Sequence, residues 1–335
     1  MEKTVKATQS QRDSMSSVKW EEVNYIYGNT PTFMGAKPVR EEGDMAGLDV
    51  VFAGLPWEWT NTWGSYSSCE MTPKAVRNAS LRYGTGYVPE YDIEVMKHIQ
   101  MGDYGDFATF PNDVEKTHQS FYEGAAVIFK QNVVPVFFGG DHSVTNPVIR
   151  ALSEAHPKKV GIIHFDAHLD NSDEFEGDPY ARCAPLRRIA ELPGMDPKKM
   201  VHIGIHGPRN SPKQMQFVKD SGIPIYTMKD IREQGLEKVI QAAQQITSEG
   251  TDGYYVTICS DIIDKAFNPG GPNDFGGLTS GEMLTTLVTL GKGKMLGIDI
   301  VEIYPKIDPN EESIHLGAWL AIYALAGMAM KKMEK

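Results

Sequence analysis

Three things are scarce in this 335-residue sequence. Cysteine is one: Cys69, Cys183 and Cys259 are an odd, small set, too few for a disulfide framework and in keeping with a reducing, cytoplasmic setting. Basic charge is another. Lys and Arg total 33 against 44 Asp and Glu, a net charge of -11. That balance argues against a phosphate backbone or an anionic membrane surface as the partner. The third is a long apolar run. None reaches the roughly 18 to 20 residues that span a bilayer, and residues 1–22 lack the apolar stretch of a secretory signal. Also missing are a Pro-, Gly- or Ser-rich linker, a fixed-period repeat and a low-complexity segment. The expected organisation is therefore one domain over residues 26–335. A polar N-terminal arm, residues 1–25, precedes it, either mobile or strapped onto a neighbouring subunit.

What is present is alternation. With 41% hydrophobic residues the chain can bury a large core. Short apolar runs at 49–53, 133–138, 160–165, 201–205, 223–226, 254–258 and 295–301 read as strands covered on both faces. Amphipathic stretches such as 114–131 and 231–248 read as helices between them. Strand followed by helix implies an α/β fold around one mostly parallel sheet. The stretch 316–330 is apolar nearly all round, as a helix buried in the subunit's own core would be.

Three of the strand runs end in segments that carry chemistry. They are Gly139-Gly140-Asp141-His142-Ser143, then Asp166-Ala167-His168-Leu169-Asp170, then Cys259-Ser260-Asp261-Ile262-Ile263-Asp264. In open α/β sheets ligands bind beyond the carboxyl ends of the strands, so three such ends can share one cleft. Asp166, His168 and Asp170 alternate, which points all three side chains to one side of an extended chain. Carboxylate and imidazole together suit borderline divalent cations such as Mn, Ni, Co or Zn, and a close pair of cations needs carboxylates that bridge them.

At these residues the chain resembles the ureohydrolase family of arginases and agmatinases. The family's Gly-Gly-Asp-His-Ser and Asp-Ala-His-x-Asp are both intact. The third motif, Ser-x-Asp-x-Asp-x-x-Asp-Pro, is recognisable in residues 257–265, followed by Pro269-Gly270, Gly276-Gly277-Leu278-Thr279 and the run from Asp299 to Asp308. The resemblance implies a three-layer α/β/α fold with a mostly parallel, eight-stranded sheet. It also implies trimers or hexamers, and hydrolysis of a guanidine-type C–N bond with release of urea. Carried over, His142, Asp166 and Asp170 would hold one metal; His168, Asp166 and Asp261 would hold the other. Glu302 would pair with the substrate guanidinium.

The departures from that pattern carry equal weight. Cys259 replaces a bridging aspartate, and a thiolate cannot share two oxygens between two hard sites. Arg182 replaces a histidine that assists proton transfer, and an arginine stays protonated near neutral pH. Residues 67–77 replace a substrate-side Arg-Pro-Gly-Ala-Arg loop. Before them, Trp57, Trp59 and Trp63 suggest an aromatic wall, with Trp57 and Trp63 facing a substrate or a neighbouring subunit. His206, where an arginine is usual, has a structural reading.

Together these departures imply a degenerate, non-catalytic subunit. It resembles the supporting chain of a heteromeric, nickel-dependent ureohydrolase, in a mixed trimer or hexamer with a catalytic paralogue. Its own site would hold one weakly bound divalent metal, Ni or Mn, or none. The alternatives are an active binuclear amidinohydrolase with a remodelled site, in which Cys259 ligates metal and Arg182 binds an anionic group, and a guanidine-binding regulatory protein. In each case the small-molecule partner is a guanidine-type compound.

Overall fold

The computed structural model describes residues 31–59, 66–156 and 158–334. The expected N-terminal arm, residues 1–25, lies outside them. The strands, in chain order, are β1 (Lys37–Pro38), β2 (Val50–Leu55), β3 (Tyr87–Val88), β4 (Ile93–Glu94), β5 (Met101–Asp106), β6 (Val134–Gly139), β7 (Gly161–Phe165), β8 (Met200–Ile205), β9 (Ile225–Thr227), β10 (Tyr254–Cys259) and β11 (Met295–Val301). Nine of them form one sheet in the order β1-β5-β2-β6-β11-β10-β7-β8-β9; β3 and β4 form a separate antiparallel pair. Every pairing within the large sheet is parallel. Helices cover both faces, which makes three layers. The expected eight-stranded sheet is thus nine-stranded.

The sheet interior is apolar on both sides because the strand residues alternate at period two between two buried clusters. On β10, Tyr254, Val256 and Ile258 enter one cluster, while Tyr255 and Cys259 enter the other. On β2, Val50 and Phe52 face one way, and Val51, Ala53 and Leu55 the other. All seven expected strands form, with ends shifted by a residue or two.

Two strands of the large sheet gave no signal in the sequence. Strand β5 reads Met-Gly-Asp-Tyr-Gly-Asp, a composition with low β propensity. Its register is held by tertiary contacts instead. Arg77, on helix Thr72–Ser80, makes a two-point pair with Asp103, with Nε and Nη2 each 2.9 Å from a carboxylate oxygen. Its Nη1 also pairs with Asp106. β1 is a two-residue edge strand without a periodic signature.

The expected helix over 231–248 is two helices, Met228–Gln234 and Leu236–Ser248. Gly235 between them sits at φ +92°, a left-handed conformation that glycine adopts without strain and that breaks the helical path. The apolar C-terminal stretch is helix Glu312–Met333. By length and composition it would pass as a membrane span, contrary to the expectation that no segment would, but 72% of its most apolar window is buried inside the domain.

The fold's main service to the site lies in the strand order. β6, β11, β10 and β7 are consecutive neighbours at the middle of the sheet. Their carboxyl ends lead directly into Asp141–His142, Glu302, Asp261 and Asp166–Asp170.

Candidate functional site

Beyond those four strand ends, the ligand candidates are gathered in the buried floor of a cavity of about 340 Å³. Two of the three groups of possible metal-ligating atoms among the described residues are here, His142, Asp166 and Cys259, and Asp166, His168 and Asp261; within each group the atoms lie within 4.8 Å of one another. Asp166 belongs to both. His142 Nδ1 is 3.0 Å from Asp166 and 2.9 Å from Asp170; His168 Nδ1 is 3.3 Å from Asp166 and 3.0 Å from Asp261. The five predicted ligands His142, Asp166, His168, Asp170 and Asp261 are therefore in one place, with Cys259 among them.

The imidazoles are held for ligation through Nδ1. His142 Nε2 is 3.0 Å from the Thr257 hydroxyl, which donates to Asp299 at 2.6 Å. Asp299 also accepts from Thr145 and Tyr255. In a neutral imidazole this chain of bonds would favour the proton on Nε2, which would leave Nδ1 for a cation. On His168 the corresponding Nε2 faces Asp274 at 3.4 Å, and Asp274 also pairs with Arg209. Thr257, Asp299 and Asp274 were not singled out as site residues from the sequence. A charged residue in the middle of the apolar strand β11 was the signal for Asp299, since an aspartate is seldom buried without a task. Nothing comparable marked Asp274, which sits in a polar loop. His164, also not anticipated, bonds Asp166 at 3.1 Å from one residue before the β7 terminus.

The donor set suits a divalent cation: nitrogen, oxygen and one sulfur from buried, convergent side chains. A cation held there supplies Lewis acidity to the cavity. Without one, protons balance the acids. Burial opposes a charge on His142, but the hydrogen bonds to Asp166 and Asp170 raise its pKa well above the ordinary value. His168 is raised in the same way, against burial, chiefly by the charge of Asp261 and the bond to Asp166. Asp166 is buried, yet hydrogen bonds from His142, His164 and His168 hold its carboxyl well below the usual range. Cys259 behaves differently. Burial, then the charges of Asp166 and Asp261, push its thiol well above its ordinary pKa. It stands there as a neutral thiol, where a bridging carboxylate would supply charge.

The other half of the cavity is organised around Arg182. Its Nη1 is 3.1 Å from Glu302 Oε2 and 3.5 Å from the Tyr304 hydroxyl; Nη2 is 3.5 Å from Glu58 and 3.7 Å from Asp141. The arginine is 4% exposed. It is delivered by the segment after Asp170, which is pinned at both ends: Ser172 N–H donates to the Cys183 carbonyl, and Leu186 N–H to the Asp170 carbonyl, each at 2.9 Å. Burial disfavours the Arg182 charge, but Glu302 and Asp141 drive its pKa well above the ordinary value. Glu302 is pushed up to about 7, because burial and the nearby Asp141 charge outweigh a cation shared among three acids.

Both ends of this arrangement carry backbone strain. Asp170 and Glu302 are non-glycine residues at φ +43° and +62°, a conformation found at functional positions more often than elsewhere. Glu302 is fixed by its own N–H to the Gly140 carbonyl and by the His142 N–H to its carboxylate. Gly140 has no room for a side chain, since a Cβ there would lie 1.6 Å from the Trp57 carbonyl oxygen.

The tryptophans are placed otherwise than expected. Trp57 is buried at 4% exposure and stacks on Trp59 with 5.5 Å between ring centroids. It belongs to the buried core and is not among the residues that line the cavity, whose aromatic lining is Phe175 and Tyr304. Trp59 donates through Nε1 to Asp178 at 2.6 Å, tying down the loop that carries Arg182. Trp63 lies outside the described residues. His206 bonds the Gly204 carbonyl through Nδ1 and the Ala167 carbonyl through its N–H, holding the β7 and β8 ends together.

The chain is thus a three-layer α/β/α protein with paired His-and-Asp donor groups at the ends of its central parallel strands. Residues 48–327 match the arginase family, and the chain belongs to that family. Among its relatives, a guanidinopropionase from Pseudomonas aeruginosa is 31% identical over 309 residues, covering 90% of this chain and 93% of that one. The proclavaminate amidinohydrolase of Streptomyces clavuligerus superposes with a TM-score of 0.80 at 27% identity, covering 92% of this chain and all of the other. A formiminoglutamase from Trypanosoma cruzi solved with Mn2+ shares the fold, with a TM-score of 0.81 at 20% identity over 90% of this chain and 100% of that one.

Proposed function

We propose that this chain is a non-catalytic subunit of a heteromeric, metal-dependent ureohydrolase that acts on a guanidine or biguanide, of the metformin hydrolase kind. One observation carries the reading: the Arg182 guanidinium stands against Glu302, 3.1 Å away, inside the cavity. Two functions are lost together there. A permanently protonated arginine cannot exchange a proton with a leaving amine, and the carboxylate suited to a substrate guanidinium already has a cationic partner. Cys259 adds a third loss, since a neutral thiol replaces the negative charge that would bind a second cation.

The scaffold is otherwise kept. A chain that retains the fold and cavity of an amidinohydrolase while losing these functions is suited to support an active paralogue in a mixed trimer or hexamer, with nickel or manganese as the metal of the complex. Its own site would hold one cation at most. Of the two donor groups, that of Asp166, His168 and Asp261 is the one that does without Cys259.

A second reading has its own support. The donor groups around Asp166 remain assembled, as an active amidinohydrolase with a remodelled site requires. In that reading Arg182 would bind an anionic part of the substrate. Against it, the guanidinium faces three carboxylates and has no need of a fourth. A guanidine-sensing role meets a related difficulty, because the acids that would sense the ligand face Arg182.

The test is urea release by the purified chain, alone and together with a catalytic paralogue, from guanidines and biguanides with Ni2+ or Mn2+ supplied. The proposal expects no turnover by the chain alone and turnover by the mixture that depends on both chains. Turnover by the chain alone, abolished by Asp166→Ala, would replace it with the second reading.

A further inference from the structure

We infer that a pocket between helix Glu312–Met333 and the β3–β4 hairpin binds the fully methylated ammonium head of a small organic cation. The pocket has a volume of about 170 Å³. It shares no lining residue with the candidate site, so the inference goes beyond the proposed function. Its walls are aromatic. Trp319 and Tyr323 are one turn apart on the helix and therefore share a face; their rings are near-parallel, with centroids 6.1 Å apart. Tyr83, which precedes the hairpin, stands at 80° to Trp319 with centroids 5.9 Å apart. Tyr87, on β3, adds a fourth ring to the lining. Trp319 is 41% and Tyr87 56% exposed, so neither ring is closed off by the core.

The rings are fixed before any ligand arrives. The Tyr83 hydroxyl is 2.5 Å from His315 Nδ1, Tyr87 donates to Asp92 at 3.0 Å, and Tyr323 donates to Glu90 at 3.0 Å. Tyr91 meets the Tyr323 ring edge-on, 6.5 Å between centroids, which holds the hairpin against the helix. Among the described residues Glu90 is the one charged residue in the lining, and its carboxylate keeps acceptor capacity beyond the bond from Tyr323. Asp92 and Glu94 add negative charge on the same hairpin; Glu94 lies opposite Tyr87 in the β3–β4 ladder. Ring faces attract cations through their quadrupoles, and cages of such rings recognise quaternary ammonium groups. The three hydroxyls are already engaged, so a cation with N–H donors would leave some of them unmet on entering. A quaternary cation has none to satisfy. That selects a methylated ammonium of the choline type over a primary ammonium.

The experiment is calorimetric titration of choline chloride into the full-length chain. Its neutral carbon isostere, dimethylbutanol, and the primary ammonium ethanolamine are titrated for comparison. The expected result is saturable choline binding with a Kd on the order of millimolar, at least about tenfold tighter than either comparison compound. Trp319→Leu should weaken choline binding at least about tenfold. Glu90→Gln, which leaves the rings in place, should weaken it by about threefold. Cosedimentation with phosphatidylcholine vesicles that choline competes away would support the same head-group chemistry with a lipid as its source. The inference is overturned if the unsubstituted chain shows no saturable choline binding, if the isostere binds as tightly, or if Trp319→Leu binds choline as the unsubstituted chain does. Should Trp319→Leu fail to fold, Glu90→Gln decides, and an unchanged choline affinity there overturns the inference.

Discussion

Arg182 Nη1 lies 3.1 Å from Glu302 Oε2, and both side chains are about 4% exposed. At that burial an ion pair contributes less than it would lose if broken, because the surviving charge is left without water. Arg182→Gln leaves three acids facing one another and should lower unfolding stability by about 3–5 kcal/mol. Glu302→Gln leaves Arg182 with Asp141 and Glu58 and should cost less. Urea denaturation of both variants checks the order; a larger loss in Glu302→Gln would mean that Arg182 is not held by the three acids jointly.

The same pair sets a pH dependence. Burial raises the Glu302 carboxyl to about 7, above the range of an exposed glutamate. A raised folded-state pKa gives stability that is fully present below the unfolded value and is lost as pH rises through the folded one. Without Arg182 the carboxyl moves higher still, since the nearby cation is what pulls it down. Thermal midpoints of Arg182→Gln should therefore fall more steeply between pH 5 and pH 8 than those of the unsubstituted chain. Parallel profiles would show that Glu302 does not titrate in this window.

Metal content follows from Cys259. Its thiol is held neutral by burial and by Asp166 and Asp261, and binding a cation through sulfur requires loss of that proton. Elemental mass spectrometry should find no more than one divalent ion per chain. Cys259→Asp should raise the content toward two, and Asp166→Ala, which removes the residue common to both donor groups, should bring it to none. Two ions on the unsubstituted chain would make Cys259 a working ligand.

Thr257 orients His142 from behind. Thr257→Val keeps the shape of the side chain but removes the hydroxyl between His142 Nε2 and Asp299. Loss of such an outer contact typically costs about 10- to 100-fold in metal affinity. Competition with a chromophoric chelator would measure it; an unchanged affinity would show that His142 is not a ligand in this chain.

Much of this site was legible in the sequence because its residues sit in short, contiguous segments at strand ends. The five ligand candidates lie within reach of one another with Cys259 among them, and Arg182 and Glu302 line the same cavity as His168, Asp170 and Asp261; no long-range guess was needed beyond the convergence of parallel strands. The mutual contacts were not legible. That Arg182 would face Glu302 depends on the path of residues 171–184, which is fixed by Trp59, Cys183 and Leu186 through contacts that leave no periodic trace. Strand β5 was hidden for a related reason: its aspartates look like a loop until Arg77 is placed against them. The sequence suggests Trp57 as a wall because indoles favour ligands and interfaces, whereas its carbonyl packs on Gly140 and its ring is buried against Trp59.

In the proposed function the chain lacks guanidine hydrolysis of its own because Arg182 and Cys259 replace working groups. The most direct measurement is urea release by the purified chain with Ni2+ or Mn2+, beside the double variant Arg182→His, Cys259→Asp. No urea is expected from the unsubstituted chain, and a detectable rate from the double variant. A substantial rate from the unsubstituted chain, lowered in the double variant, would contradict the proposed function.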